Sequence, residues 1–286
     1  MLRVVFMGTP EFAVPSLDAC AKSHEVVAVY TQPDRPVGRG LGLKPSAVKE
    51  RALELGIPVS QPEKLTLPGE LEKLAALKPD LIAVVAYGQI LRKNVLELPR
   101  LGCVNVHSSL LPRWRGAAPI QWAILGGDRE SGVTTMHLVE KLDAGDILLQ
   151  ETTSITVDDT AGSLHDRLSV MGAKLLAETL SGLEQGTLKG RPQDESQVTH
   201  ASKLTKEMEW LNPELPASQL DLNVRALNPW PGTSLMVLGQ RLKVKKAVPH
   251  ASIQGRQGEL FERVGMLLLA TSHGSLELKQ VQWDGK

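Results

Sequence analysis

Residues 2–30 read LRVVFMGTPEFAVPSLDACAKSHEVVAVY, and they decide the fold. The first six, LRVVFM, form a strand-length apolar run with no alternation, the pattern of a strand buried on both faces. EFAVPSLDACAK (11–22) predicts a helix and EVVAVY (25–30) a second buried strand. Strand, helix and strand in that order make the repeating unit of a parallel sheet covered on both sides. The pattern continues outward. SAVKERALEL (46–55) predicts a helix with Ser46 as its N-cap, and DLIAVVA (80–86) a strand. CVNVH (103–107) is a further strand, PIQWAILGG (119–127) a helix, and two more strands fall near 132–139 and 147–153. The longest amphipathic pattern covers 160–183, with Leu164, Leu168, Met171 and Leu175 at helical spacing.

Composition then changes. EQGTLKGRPQDESQVTHASKLTKE (184–207) is polar, contains Gly and Pro, and sustains no period, so it reads as an interdomain linker. Beyond it come a helix at 216–227, a rigid NPWPG turn (228–232) and short strands at SLMVL, RLKVKKAV, MLLLAT and SLELKQVQW. Gly-containing turns between such strands predict a small β-barrel of OB type. The expected organisation is a domain over 1–183, a linker over 184–207 and a second domain over 208–286.

With 32 Lys and Arg against 32 Asp and Glu, the chain has no strong overall field, so any polyanion must be met by a local patch. Cys20 and Cys103 lie far apart without metal-ligand spacing and read as buried free thiols of a reducing cytosol. The N-terminal apolar stretch is too short for a signal segment, and no run is long enough for a membrane helix. A cytoplasmic protein with no membrane partner is expected.

In open parallel sheets, ligands sit beyond the carboxyl ends of the strands. Asn105 and His107 lie at such an end, and a period of two puts them on one face. Downstream, EKLDAGDIL (140–148) offers Asp143 and Asp146 in a Gly-containing loop. An amide, an imidazole and a carboxylate brought together suit acyl transfer: Asn donates to an oxyanion, His moves a proton, and Asp holds and charges the His. A plainer alternative stands beside this one, with His107 capping the strand and Asp143 a turn. Other templates fail. Ser108 and Ser109 lack a G-x-S-x-G elbow. GRGLG (38–42) sits among Pro33, Pro36 and Pro45, which keep the segment irregular, so it is no dinucleotide loop. HLVE (137–140) would place its two ligands on opposite strand faces, and no metal is expected.

Three basic patches interrupt the neutral chain. Residues 31–51 carry Arg35, Arg39, Lys44, Lys49 and Arg51 against Asp34 and Glu50. Arg113 and Arg115 flank Trp114, and Arg241, Lys243 and Lys245 alternate with Leu242 and Val244. Solvated surface is the ordinary meaning of such charge; the footprint of a nucleic-acid backbone is the other.

FMGTPEFAVPSL, QPDRPVGRG, VAYGQIL, VNVHSSLLPRWRGAAPIQWAI, KLDAGDIL and NPWPGT, in that order along the chain, together resemble the methionyl-tRNA formyltransferases. The resemblance implies an α/β Rossmann-like formyltransferase domain with a mostly parallel sheet, followed by a small OB-like domain that assists tRNA binding. It implies Asn105, His107 and Asp143 as the catalytic trio and 10-formyltetrahydrofolate as the donor. Ser109, Leu110, Leu111 and Pro112 match the family's folate-binding segment. Ala86, Tyr87, Gly88, Gln89, Ile90 and Leu91 match the turn beside the pterin pocket. Residues 34–49 match the loop that grips the tRNA acceptor end, so Arg35, Arg39 and Lys44 there, with Arg113, Arg115, Arg241, Lys243 and Lys245, are expected to meet methionyl-initiator tRNA. No DNA partner is expected, and the chain is expected to act as a monomer. Departures exist: GRGLGLKPS lacks the adjacent lysines usual in the family, TKEMEW (205–210) is shortened, and the chain stops at DGK where family members usually continue briefly. The same trio would also serve formyl transfer to an amino-sugar nucleotide or to glycinamide ribonucleotide, or hydrolysis of formyl-folate. An inactive folate- or RNA-binding module is the alternative outside enzymes. The basic loop and second domain favour the tRNA acceptor over small ones.

Overall fold

A computed structural model describes residues 1–37 and 42–285. By their contacts these fall into two compact units: Met1–Arg115, Gly132–Thr152 and Asp166–Thr199 in one, and Gly116–Ser131, Thr153–His165 and His200–Lys286 in the other. The segment expected as a linker is divided between them after Thr199.

The first unit is built on a seven-stranded sheet. Its strands are β1 (Arg3–Gly8), β2 (Glu25–Tyr30), β3 (Val59–Ser60), β4 (Leu81–Val85), β5 (Cys103–His107), β6 (Glu130–His137) and β7 (Ile147–Ser154). Across the sheet they run β7-β6-β5-β4-β1-β2-β3. β3, β2, β1, β4 and β5 are parallel, and β6 is antiparallel to β5. The unbroken apolar runs explain the burial: every residue of β4, and β1 after Arg3, is buried.

The helices are α1 (Val14–Ser23), α2 (Ala47–Glu54), α3 (Glu70–Ala76), α4 (Lys93–Leu96), α5 (Pro119–Leu125), α6 (Ala161–Glu184) and α7 (Ala217–Ala226). The single helix expected over 11–22 is a 3-10 turn at Glu11–Ala13 leading into α1, because Pro15 fits only the first turn of an α-helix. Ser46 caps α2 as expected, its hydroxyl accepting from the Lys49 amide at 3.1 Å. α6 lies so close to β5 that a Cβ on Gly172 would stand 2.8 Å from Val106 Cγ1. The proline-rich segment expected to be irregular instead pairs Arg35–Val37 with Gly42–Lys44 in a short antiparallel ladder. A three-residue edge ladder leaves room for Pro36, which has no amide to donate.

The second unit holds α7 and a five-stranded antiparallel sheet: β8 (Thr233–Val237), β9 (Gln240–His250), β10 (Leu260–Arg263), β11 (Met266–Ala270) and β12 (Ser275–Trp283), ordered β8-β9-β12-β11-β10. Leu242 and Val244 of β9 are buried with Leu220, Val224, Leu235 and Leu276, as the alternation required. Leu238–Gly239 and Val264–Gly265 close two hairpins with positive φ at both residues, 48° and 78°, then 52° and 74°. That is the turn whose twist matches paired strands.

Among the described residues no helix is long and apolar enough to cross a membrane. Cys20 and Cys103 are buried free thiols, and burial pushes both up to about 12.

Candidate active site

The chain leaves β1 toward β2 and β3 on one side and returns to β4 and β5 on the other, so the strand order reverses between β1 and β4. A crevice is expected beyond the carboxyl ends at such a reversal. A cleft of about 360 Å³ lies there, lined by Thr9 and Pro10 after β1, Gln32 after β2, and Ala86 and Gly88 after β4. Thr9 pins the three turns together: its hydroxyl donates to the Tyr87 carbonyl at 2.9 Å and accepts from the Gln32 amide at 3.3 Å. A Cβ on Gly8 would meet Phe6, Ala13 and the Val85 carbonyl at 2.8–3.0 Å, so only glycine fits the end of β1.

One strand further, β5 carries Asn105 and His107 on one face. Asn105 is half-buried beside Val84 and Met136, and its amide makes no hydrogen bond among the described residues. His107 is buried, and each ring nitrogen faces an acceptor. Nε2 lies 2.9 Å from the Trp114 carbonyl, and Nδ1 lies 3.8 Å from Asp143 Oδ2. A carbonyl can only accept, so Nε2 carries a hydrogen. Nδ1 is then the nitrogen left to exchange a proton, with a carboxylate across from it. Asp143 is itself buried, in the loop between β6 and β7, with φ at 48°. Gly145 makes that loop possible, because a Cβ there would stand 1.7 Å from the His137 carbonyl oxygen.

Sequence reasoning missed what holds this arrangement. The Gln193 amide donates to the Asp143 and Gly145 carbonyls, 2.8 Å each, and its oxygen accepts two N–H groups of Arg115 at 3.0 and 2.8 Å. Arg115 also pairs with Glu195 at 2.8 Å, and Glu195 with Lys141 at 2.7 Å. Those two hydrogen-bonded cations, Arg115 first, hold the Glu195 carboxyl at about 2. The Thr199 hydroxyl accepts from the Trp114 amide at 2.9 Å. Gln193 and Thr199 sit in a polar stretch without period, where no sequence signal distinguishes them.

The residues expected to hold folate divide by exposure. Ala86, Gly88 and Ile90 are exposed at the end of β4, and Ile90 leaves 75% of its surface bare. Tyr87 and Leu91 are buried in the core, where desolvation raises the Tyr87 hydroxyl, and Gln89 braces Leu65 and Pro62 through hydrogen bonds at 3.0 and 2.9 Å. Ser109 is buried and donates to the Arg113 carbonyl at 2.7 Å. Leu111 packs with Met136 and Ile147 in the core, while Leu110 and Pro112 are half-buried.

Of the expected tRNA contacts, Arg35, Lys44, Arg113 and Lys245 are exposed, Arg113 lying 4.4 Å over the Trp114 ring. Arg39 lies outside the described residues. Arg241 is tied to Glu209, and Lys243 to Asp284 at 2.7 Å. Arg115 is a correction: it is 2% exposed, and its guanidinium is spent on Gln193 and Glu195, so it is not on offer to a phosphate.

Comparisons with known proteins agree with this geometry. The sequence profile described as formyl transferase matches residues 2–180, and that of the formyl transferase C-terminal domain matches 203–286. A methionyl-tRNA formyltransferase of Methylococcus capsulatus is 51% identical over 287 residues, covering 100% of this chain and 93% of its own length. One from Pseudomonas paraeruginosa is also 51% identical, covering 99% and 92%. Among solved structures, an N-formyltransferase of Helicobacter canadensis in complex with folinic acid and dTDP-3-aminofucose shares the fold, with a TM-score of 0.75 at 20% identity over 99% of this chain and 100% of that one. A sugar N-formyltransferase of a Shewanella species aligns with a TM-score of 0.65 at 17% identity, over 86% and 97%. A mostly parallel sheet that ends in Asn105, His107 and a nearby Asp143, matched along its whole length by these relatives, places the chain in the methionyl-tRNA formyltransferase family.

Proposed function

We propose that the chain transfers the formyl group of 10-formyltetrahydrofolate to the α-amino group of methionyl-initiator tRNA. The observation that carries this is His107 with Nε2 bonded to the Trp114 carbonyl and Nδ1 facing the Asp143 carboxylate at 3.8 Å, one strand repeat from an unengaged Asn105 amide. The amine attacks the formyl carbon, and the carbonyl oxygen becomes an oxyanion. Asn105 donates to that oxyanion. His107 Nδ1 takes the amine's proton while Asp143 offsets the charge on the ring, then returns the proton to N10 of the folate as the carbon–N10 bond breaks. A positioned oxyanion donor contributes about 10²–10³ in rate. The bare apolar side chain of Ile90 and the open turn at Ala86 and Gly88 suit the flat donor.

The exposed Arg35, Lys44, Arg113 and Lys245 meet tRNA phosphate, with the antiparallel second unit acting as an OB-like tRNA-binding domain. On this reading residues 1–183 carry the chemistry, 184–207 connect and also supply Gln193 and Thr199 to the surroundings of His107, and 208–286 assist with tRNA. The whole trio lies within one copy of the chain, in keeping with action as a monomer, and the location proposed is the cytoplasm. The test is purified protein with formyl-folate and three acceptors: charged initiator tRNA, an amino-sugar nucleotide, and water. Formylated methionyl-tRNA is the expected product, and preferential consumption of the sugar or of water would overturn the proposal.

A further inference from the structure

We propose that residues 193–199 are a positioning strap for the catalytic histidine, acting through Gln193 on one side of its ring and Thr199 on the other; this rests on the assignment of His107 and Asp143 to the reaction. The two partners of the imidazole come from different places, Trp114 from the turn after β5 and Asp143 from the loop after β6. Nothing in either local sequence relates them. One stretch of chain holds both. The Gln193 amide spans the loop by donating to the carbonyls of Asp143 and Gly145, 2.8 Å each. Six residues on, the Thr199 hydroxyl accepts from the Trp114 amide at 2.9 Å, and the Thr199 carbonyl accepts from the Arg115 amide, also at 2.9 Å.

The conformations so held are ones a chain does not keep unaided. Asp143 has φ at 48° and Trp114 at 64°, both in the left-handed region. That region is unfavourable for a bulky residue such as Trp and tolerated but not dictated by Asp, so bonds from elsewhere fix both. Gln193 is well suited, since its amide uses both hydrogens on the loop while its oxygen is fixed by Arg115. Between the two anchor residues the strap is stiffened locally. Asp194 caps the turn at Glu195–Gln197, accepting from the Ser196 amide at 3.0 Å, and Glu195 joins Arg115 to Lys141. Gln193 and Thr199 touch no reacting atom in this scheme; they set where Asp143 and the Trp114 carbonyl stand relative to the ring.

A double-mutant cycle tests this with the full chain, following kcat, the KM for formyl-folate and thermal unfolding. Gln193→Ala is expected to lower kcat by about 10²-fold, the scale of an ångström misplacement, with KM for formyl-folate unchanged. In an Asp143→Asn background the same change should cost less than about twofold, because residues acting through one another do not add. Thr199→Val should lower kcat and Thr199→Ser restore it, which keeps the test intact if Gln193→Ala fails to fold. Unchanged turnover in Asp143→Asn would sink the catalytic assignment itself. Slow Asp143→Asn with normal Gln193→Ala, or losses that multiply in the double variant, would overturn the strap alone.

Discussion

At the scale of single residues, the site depends on one glycine as firmly as on its polar groups. Gly145 lies against the His137 carbonyl with no room for a methyl group. Gly145→Ala must therefore move the loop that carries Asp143. Its kcat/KM should fall by about 10²-fold or more, since misplacement of about an ångström is felt at that level. Steady-state kinetics beside a thermal melt will read this, and full activity would mean the loop shifts without consequence. Arg115 makes the converse point. A Trp between two arginines in sequence looks like a basic patch, yet Trp114, with φ at 64°, breaks the alternation between them, and Arg113 points out while Arg115 is buried. Burial of a guanidinium requires partners on hand, and those partners, Gln193 and Glu195, lie 78 and 80 residues away in sequence.

Among the elements, the second hairpin of the antiparallel unit carries a local conflict. Val264 is β-branched, 90% exposed, and holds φ at 52° in a turn that favours Asn. Val264→Asn should raise unfolding stability by about 1 kcal/mol, removing a left-handed strain that no buried contact offsets. Urea denaturation will show it, and a decrease would mean the side chain is held by packing. The strap carries a pH signature of its own. The Glu195 carboxyl is held at about 2 against an ordinary 4.5, by Arg115 and then Lys141. A depressed carboxyl stabilises the fold above its unfolded pKa and loses that contribution as pH falls through the folded one. The stability gap between wild type and Glu195→Gln should hold steady above pH 4.5 and close between 4.5 and about 2. Comparing urea midpoints across that range checks the sign, and a gap that widens in acid contradicts it.

These elements also show what the sequence made legible. β4 is apolar throughout, β1 and β2 are apolar after a charged first residue, β5 is apolar except at Asn105 and His107, and α6 keeps its period over 24 residues, so each was readable within a few positions. β3, α4 and β10 have two to four residues each, too short for any period to appear. Asn105 and His107 were legible because a strand end locates them. The distance from His107 to Asp143, and the strap behind them, follow from hydrogen bonds between distant segments, which no spacing encodes.

Across the whole molecule the charges balance, 32 against 32, so no long-range field draws a polyanion in. Salt dependence of tRNA binding should then come from the few exposed cations. Lys44→Ala and Lys245→Ala should each make the fall of log K with log salt shallower by about one unit or less, and Arg115→Lys should leave that slope alone. Filter-binding titrations over a salt series distinguish the three. Coincident slopes for all variants would mark these side chains as plain solvated surface.

The place of the strap in the chain has a consequence for biosynthesis. A ribosome delivers β1 through β7 and then α6 before it reaches Gln193 and Thr199. Every strand of that sheet precedes both residues in the chain. The bonds that fix both partners of His107 are added only afterward, by some of the last residues of that unit to emerge. Competence for chemistry is therefore timed to the end of the domain's synthesis, and its architecture to the beginning.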